Sequence, residues 1–501
     1  MSDLTAVDEP GPLGWQRLIV EPRRPYAVRR LRRGYLLAVA AVCVGAFMGQ
    51  LDASIVALAF PALERSFHSG VGAVSWVGLS YLVVLVATVA AVGRFSDMAG
   101  RKLIYIYGFA IFIVGSALCA GAPSLIALDV ARGFQAVGAA MLQANSVAII
   151  ALAVPRQHLG RALGVQGAAQ ALGLGLGPSV GGLLLAAGGW RWLFLVNVPV
   201  GLVGMAAALL FVPRSVHLQS RLPFDWWGFA LFFPAVVALV FAVSQGERIG
   251  WTSPLMLAMV TVVGGLGVGF VLRERRCSSP MVDLSMFRRV RFATGVSCSL
   301  LAFLVLFGVL VVVPFYLERA GGFGDLRTGL ELMVMPVALG LVAPLSGRMA
   351  DRMGVRLPAA SGMALVTVGL VLMGLVRPAT PGFLALLVVI GGGLGLFTSP
   401  NNAGIMASVP YQQSGLASGL LNMSRGLGTA MGLAVTSTVF GALGGDGGAP
   451  TVVRHAFSAT VLVLGAIALV ASVVAALGSS PQPLAHHVRP EPNGSWQAAP
   501  T

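Results

Sequence analysis

Charge is what this chain has least of: 10% of its 501 residues are Asp, Glu, Lys or Arg, against roughly 25% in a typical soluble domain. Lysine is all but missing, Lys102 being the only one among 33 cations. The four cysteines (Cys43, Cys119, Cys277 and Cys298) lie in or beside apolar stretches with no metal-ligand spacing. They read as free thiols packed like small hydrophobes. The histidines His68, His158, His217, His455, His486 and His487 fall in or beside loops and tails. There is no Walker loop, no Cys-x-x-Cys pair and no His/Asp/Glu cluster. A disulfide scaffold and a metal site are excluded. The chain is expected to be no enzyme, to need no cofactor and to draw its energy from an ion gradient.

What fills the chain instead is apolar. Hydrophobic residues make up 57% and the mean hydropathy is +0.86, beyond what a globular core of this length hides. Between about residues 35 and 477, fourteen apolar runs are separated by charge or by Pro and Gly. Each is close to the ~20 residues a helix needs to cross the hydrocarbon layer. None alternates like a membrane β-strand. The first run, 35–59, mimics a secretory leader, but its length and Asp52 make it a spanning helix.

A net charge of +15 would suggest a nucleic-acid partner until the cations are placed. With the N-terminus in the cytoplasm, 24 of the 33 fall on the cytoplasmic side and 7 outside, while Arg132 and Arg425 lie within spans. The positive-inside rule then predicts a multi-pass protein of the plasma (inner) membrane with both termini cytoplasmic. The basic charge reports topology and contact with membrane lipids, with no nucleic acid.

The chain also repeats itself. Gly93-Arg-Phe-Ser-Asp97-Met-Ala-Gly100-Arg101-Lys102 and Gly347-Arg-Met-Ala-Asp351-Arg-Met-Gly354-Val-Arg356 match as GRxxDxxG, 254 residues apart. At a shift of 255, Gly164, Gly173 and Gly177 answer to Gly419, Gly428 and Gly432, with Gln170 opposite Arg425. A duplicated six-helix unit follows, both copies entering from the same side. The expected divisions are a tail at 1–34, a six-helix bundle at 35–212, and two inserted helices with a basic loop at 213–292. A second six-helix bundle at 293–477 and a tail at 478–501 complete the chain. Parallel repeats of this kind bind substrate between the halves.

At these residues the chain resembles the major facilitator superfamily. Gly93 to Lys102 is similar to its loop signature, and Leu128 to Ala140, with Arg132, Gln135 and Gly138, to its fourth-helix motif. Gly177-Pro178-Ser-Val-Gly181-Gly182 resembles the fifth-helix antiporter motif. Leu51-Asp52-Ala-Ser-Ile55-Val56 and the stretch Trp190 to Pro199 resemble marks of the fourteen-helix drug:proton antiporters. Ala136 stands where Gly is usual and Ala144 where Pro is common, departures that remove no charge. The resemblance implies an all-α membrane protein of major facilitator fold: two six-helix bundles plus two inserted helices. It implies a monomer that exports amphiphilic small molecules (drugs, antibiotics, dyes) in exchange for protons by alternating access. An exporter of an endogenous lipid or secondary metabolite is the alternative, and a non-transporting receptor or scaffold a third reading.

Within that frame single residues acquire roles. Counted along their helices, Asp52 and Arg132 both lie about 10–12 Å from the outer end, a depth at which they can pair. Asp52 is either a fixed structural ion or the proton-linked acid, and the resemblance favours coupling or cation recognition. Asp129, a turn from Arg132, is expected to partner Arg132 or Arg65, or to join the proton route. Arg425 needs a counter-ion, with Asp52 and Glu331 as the candidates. Glu331 itself reads as a solvated acid near the outer end of its span. Gln135, Gln166, Gln170, Asn401, Asn402 and Asn422 either line a substrate cavity with Arg425 or hold helices together. Gly93, Asp97, Gly100, Arg101 and Asp351 are expected to gate the cytoplasmic side, each acid facing a helix N-terminus in the opposite half. The glycines of the fifth span, with Gly177, Pro178, Gly181 and Gly182, permit close packing and a bend that seals the cavity.

Overall fold

The computed structural model describes residues 21–478 except 23, 30, 32, 216–222, 324, 377–379 and 446–448. Most of both predicted tails, with His217, His486 and His487, lies outside the described residues. Every apolar run is a helix, and the described residues contain no strand. In the first half these are α1 (Gly34–Ile55), α2 (Trp76–Ala99), α3 (Arg101–Ala120), α4 (Leu125–Ala153), α5 (Leu159–Gly188) and α6 (Arg191–Phe211). Next come α7 (Trp226–Ile249) and α8 (Pro254–Arg276). The second half holds α9 (Val290–Arg319), α10 (Asp325–Met353), α11 (Arg356–Val376), α12 (Thr380–Ala407), α13 (Ser414–Ala442) and α14 (Pro450–Gly478). Thirteen of them are long and apolar enough to cross a membrane. The fourteenth, α13, is 29 residues long, but its serines, glycines, Asn422 and Arg425 dilute its apolarity.

Local chemistry sets the ends. Ser124, Asp225 and Ser253 cap α4, α7 and α8, each side-chain oxygen accepting a backbone N–H three residues on. Gly100 and Gly354, which close α2 and α10 in the two signature loops, adopt φ of +109° and +85°, a conformation that favours glycine. The first predicted span is not a single helix to residue 59. α1 ends at Ile55, and a tighter turn, Val56–Ala59, leads into the short helix Phe60–Phe67, whose Pro61 sits in its first turn.

Packing reproduces the repeat. In the first half α1 packs on α5, α3 on α4, α2 on α4, and α6 on α1 and α3. Eight helices later the same pairs recur: α9 on α13, α11 on α12, α10 on α12, and α14 on α9 and α11. The halves meet along two equivalent seams, α2 against α13 and α5 against α10. Small residues make these contacts possible, as expected where lipid supplies no hydrophobic drive between helices. A Cβ on Gly93 would strike the Gly415 carbonyl, one on Gly347 the Gly160 carbonyl, and one on Gly164 the Ala343 carbonyl. Of the inserted pair, α7 packs on both α2 and α13, and α8 packs on α7. Asp225 ties the two, its Oδ1 accepting from Arg273 Nη2 at 3.1 Å.

Candidate functional site

Asp52 lies near the end of α1, where its side chain points into the first bundle and is fully buried. Its Oδ2 accepts from Arg132 Nη1 at 2.8 Å, and its Oδ1 from Asn197 Nδ2 at 2.7 Å and Gln135 Nε2 at 3.1 Å. Arg132 Nη1 also donates to Gln135 Oε1 at 2.7 Å, and its Nε to the Val77 carbonyl at 3.2 Å. Its guanidinium lies 4.1 Å from the centre of the Tyr81 ring. Gln135 Nε2 passes the network on to Ser116 Oγ at 2.7 Å. Helices α1, α2, α3, α4 and α6 thus converge on one neutral ion pair. Burying two charges costs several kcal/mol for each ion, and only such close geometry offsets it. Both Asp52 oxygens accept hydrogen bonds within the bundle.

A cavity of about 210 Å³ lies beside this network, between the halves. Tyr81 and Arg132 line it from the first half, and Phe303, Phe307, Asn422 and Arg425 from the second. A smaller pocket of about 40 Å³ shares Gln50, Phe303 and Phe307 with it and reaches Gln170. Gln135, Gln166, Asn401 and Asn402, also expected there, are not in the lining of the larger cavity. Gln135 belongs to the Asp52 network, and Gln166 donates to Ser146 Oγ at 2.9 Å. Asn401 binds α9 through the Gly295 carbonyl and Ser299 Oγ. Asn402 lies behind Arg425, its Oδ1 accepting from Nη2 at 2.7 Å. Asn422 lines the cavity and also bridges the halves, donating to the Gln143 carbonyl at 2.9 Å.

Three expectations about charge partners need correction. Arg425 has no carboxylate counter-ion among the described residues; its partners are Asn402, Asn422 and, 5.0 Å away, the Phe303 ring. Asp52 is taken by Arg132, and Glu331 by Arg327 on the same helix, Nε to Oε1 at 3.0 Å. Glu331 is therefore buried and paired, not solvated. Asp129 partners neither Arg132, committed to Asp52, nor Arg65, which donates to the Pro61 carbonyl. One Asp129 oxygen is buried without a hydrogen-bond partner.

The two signature acids sit at the ends of the seams. Asp97 accepts from the N–H of Gly415 at 2.8 Å and of Leu416 at 2.9 Å, the first turn of α13 in the opposite half. Asp351 does the same at the start of α5, with Gly160 N–H at 2.8 Å and Arg161 N–H at 3.0 Å. Each carboxylate faces the positive end of a helix dipole. Arg101 adds a staple to the first clasp only: its Nε donates to Asp97 Oδ1 at 2.9 Å and its Nη2 to the Tyr411 carbonyl at 2.9 Å. Both clasps are closed. Gly100 lies against Glu21, whose carboxylate accepts from the N–H of Lys102 and Leu103 at the start of α3.

Along α5 the glycines divide by position. Gly160 and Gly164 face α10, while Gly173 and Gly177 face α1 at Phe47 and Ser54. Pro178 lies inside the helix and Gly181 is buried. Gly182 faces open space, so that glycine of the motif serves no close contact.

The sequence-based expectations do not place Asn197, Ser116 and Tyr81 at the Asp52 network, or Glu21 at the signature loop. Asn197 was legible by the rule that singled out Asp52, a polar residue inside an apolar span. Tyr81 and Ser116 carry no such signal, since both occur freely in membrane helices.

This geometry agrees with the known proteins the chain resembles. The Major Facilitator Superfamily family matches residues 42–432 and again 295–499. Over 415 residues the chain is 34% identical to the multidrug resistance protein Stp of Mycobacterium tuberculosis, covering 82% of this chain and 77% of that one. It is 31% identical over 401 residues to the riboflavin transporter RibZ of Clostridioides difficile, covering 80% and 87%. The crystal structure of the human organic anion transporter MFSD10 superposes with a TM-score of 0.66 at 16% identity, covering 88% of this chain and 99% of that one. At that identity the likeness is one of fold alone. Duplicated bundles, paired clasps and a cavity between the halves have one common explanation: the chain belongs to the major facilitator superfamily, a transporter and not an enzyme.

Proposed function

We propose that the protein is a fourteen-helix drug:proton antiporter, exporting amphiphilic small molecules in exchange for protons by alternating access. The observation that carries this reading is the buried Asp52–Arg132 pair beside a cavity between the halves. Asp52 carries the proton, Arg132 responds to its charge, and Asp97 and Asp351 lock the cytoplasmic side while the cavity faces outward. The proton gradient is the sole energy source, no cofactor takes part, and one chain supplies both halves, so a monomer suffices. Dye uptake into inverted membrane vesicles tests the reading. An acidified lumen should drive accumulation of an amphiphilic fluorescent dye, and collapsing the pH gradient should abolish it. Accumulation that is indifferent to the gradient would refute proton coupling. A second reading, transport of a metabolite in place of a drug, is supported by the relative named a riboflavin transporter.

Both termini are assigned to the cytoplasm of the plasma (inner) membrane, supported by the 24-to-7 distribution of cations. Ser285, exposed in the loop between α8 and α9, is the reporter. In intact cells Ser285→Cys should resist an impermeant maleimide and react only after permeabilisation. Labelling from outside would reverse the orientation.

A further inference from the structure

Arg425 is a buried cation without a buried anion. Its side chain is 5% exposed, its Nε has no hydrogen-bond partner, and its partners are amide oxygens and an aromatic face. A charge in that position is costly unless something neutralises it. The charged residues lining the cavity are Arg132 and Arg425, and Asp52 already neutralises Arg132. The lining therefore carries one net positive charge. A second unpaired group in the same wall is the Tyr81 hydroxyl, buried and able to donate. Phe60, Phe303 and Phe307 complete the wall with aromatic surface. Among the amides of the wall, Gln50, Gln143 and Asn422, the last spends its Nδ2 on the Gln143 and Ser418 carbonyls.

The arrangement belongs to this half alone. The equivalent position in the first half is Gln170, which lines the neighbouring pocket without a charge. The repeat explains helices α5 and α13 but not why one copy holds an arginine where the other holds an amide.

We propose that Arg425 anchors an anionic group of the cargo, a carboxylate or equivalent acid on an aromatic body, with Tyr81 as second donor and Phe303 and Phe307 against the ring. This rests on the transport reading above and narrows its substrate class. Cargo anion and Arg425 form the ion pair that the protein itself leaves incomplete. The choice of charge also changes the electrical bookkeeping of a one-for-one exchange. A monoanion leaving as a proton enters moves two positive charges inward, whereas a monocation leaving moves none.

Two isosteric probes of opposite charge test this, 1-naphthoate and 1-naphthylmethylammonium, bound at pH 7.5 to purified full-length protein in nanodiscs. Wild type should bind the naphthoate about ten-fold or more tightly than the ammonium, the scale of one charge-assisted hydrogen bond. Arg425→Gln should remove that preference without weakening the ammonium, and Arg425→Lys should restore most of it. Equal binding, a preference for the ammonium, no naphthoate binding, or an unchanged preference in Arg425→Gln would each overturn the proposal. The wild-type comparison decides even if Arg425→Gln does not fold. In proteoliposomes the two readings separate. If naphthoate binds selectively yet a pH gradient moves neither probe, proton-driven export fails and the anion site stands. If the gradient moves the ammonium alone, export stands and the anion site falls.

Discussion

Asp52→Asn protein should bind cargo but not pump it: gradient-driven export falls to the leak of empty vesicles, and substrate-induced proton release from purified protein disappears. Asparagine preserves the shape that meets Gln135 and Asn197 while removing the charge and the titratable proton. The obvious objection is that Asp52 only balances Arg132. Breaking a buried pair by removing one partner costs about 3–5 kcal/mol, which alone would lower the melting temperature and the yield. The double variant Asp52→Asn/Arg132→Gln separates the two roles, since it removes both charges together. If Asp52 is structural, the double variant recovers stability and transport; if it carries the proton, stability recovers and transport does not. Proton release that persists in the single variant would move attention to Asp129, whose unpaired oxygen makes it the next acid.

Asp97→Ala should also abolish transport, for a different reason and with the protein still folded. Asp97 holds two N–H groups of α13 and receives Arg101, and hydrogen bonds to a charged group are each worth about 1.5–3 kcal/mol. Losing them should shift the closed-to-open ratio of that seam by about ten-fold or more. Electron–electron resonance distances between spin labels at the ends of α2 and α13 should lengthen and broaden. Asp351→Ala removes two comparable N–H contacts but no arginine staple, so its effect on transport should be the smaller. Equal defects, or wild-type distances in Asp97→Ala, would show that the clasp does not set the conformational equilibrium.

Depth along a helix is legible in a sequence, because each residue rises a fixed 1.5 Å; direction around the helix axis within the bundle is not. That contrast explains which expectations held. Asp52 and Arg132 were placed at one depth and do meet, and the repeated GRxxDxxG segments do reach the opposite half. Glu331 is a candidate counter-ion for Arg425 only as an acid within a span, and it turns instead to Arg327 one turn away on α10. Asn197 completes the Asp52 network from α6, a helix that reaches the site only through its packing on α1 and α3. Gly182 was read with its neighbours as a packing glycine, yet it lies on the side of α5 that nothing approaches. Glu21 caps α3 from a segment with no apolar pattern at all, so periodicity offered no means of finding it.

The placement of α7 gives the molecule a front and a back. It covers the α2–α13 seam, with Trp76 and Phe241 5.5 Å apart, while no inserted helix covers α5–α10. On that side Leu172 and Leu176 of α5 are exposed, and its clasp is the one without an arginine staple. Bilayer lipid therefore touches one seam directly and is held off the other by a helix.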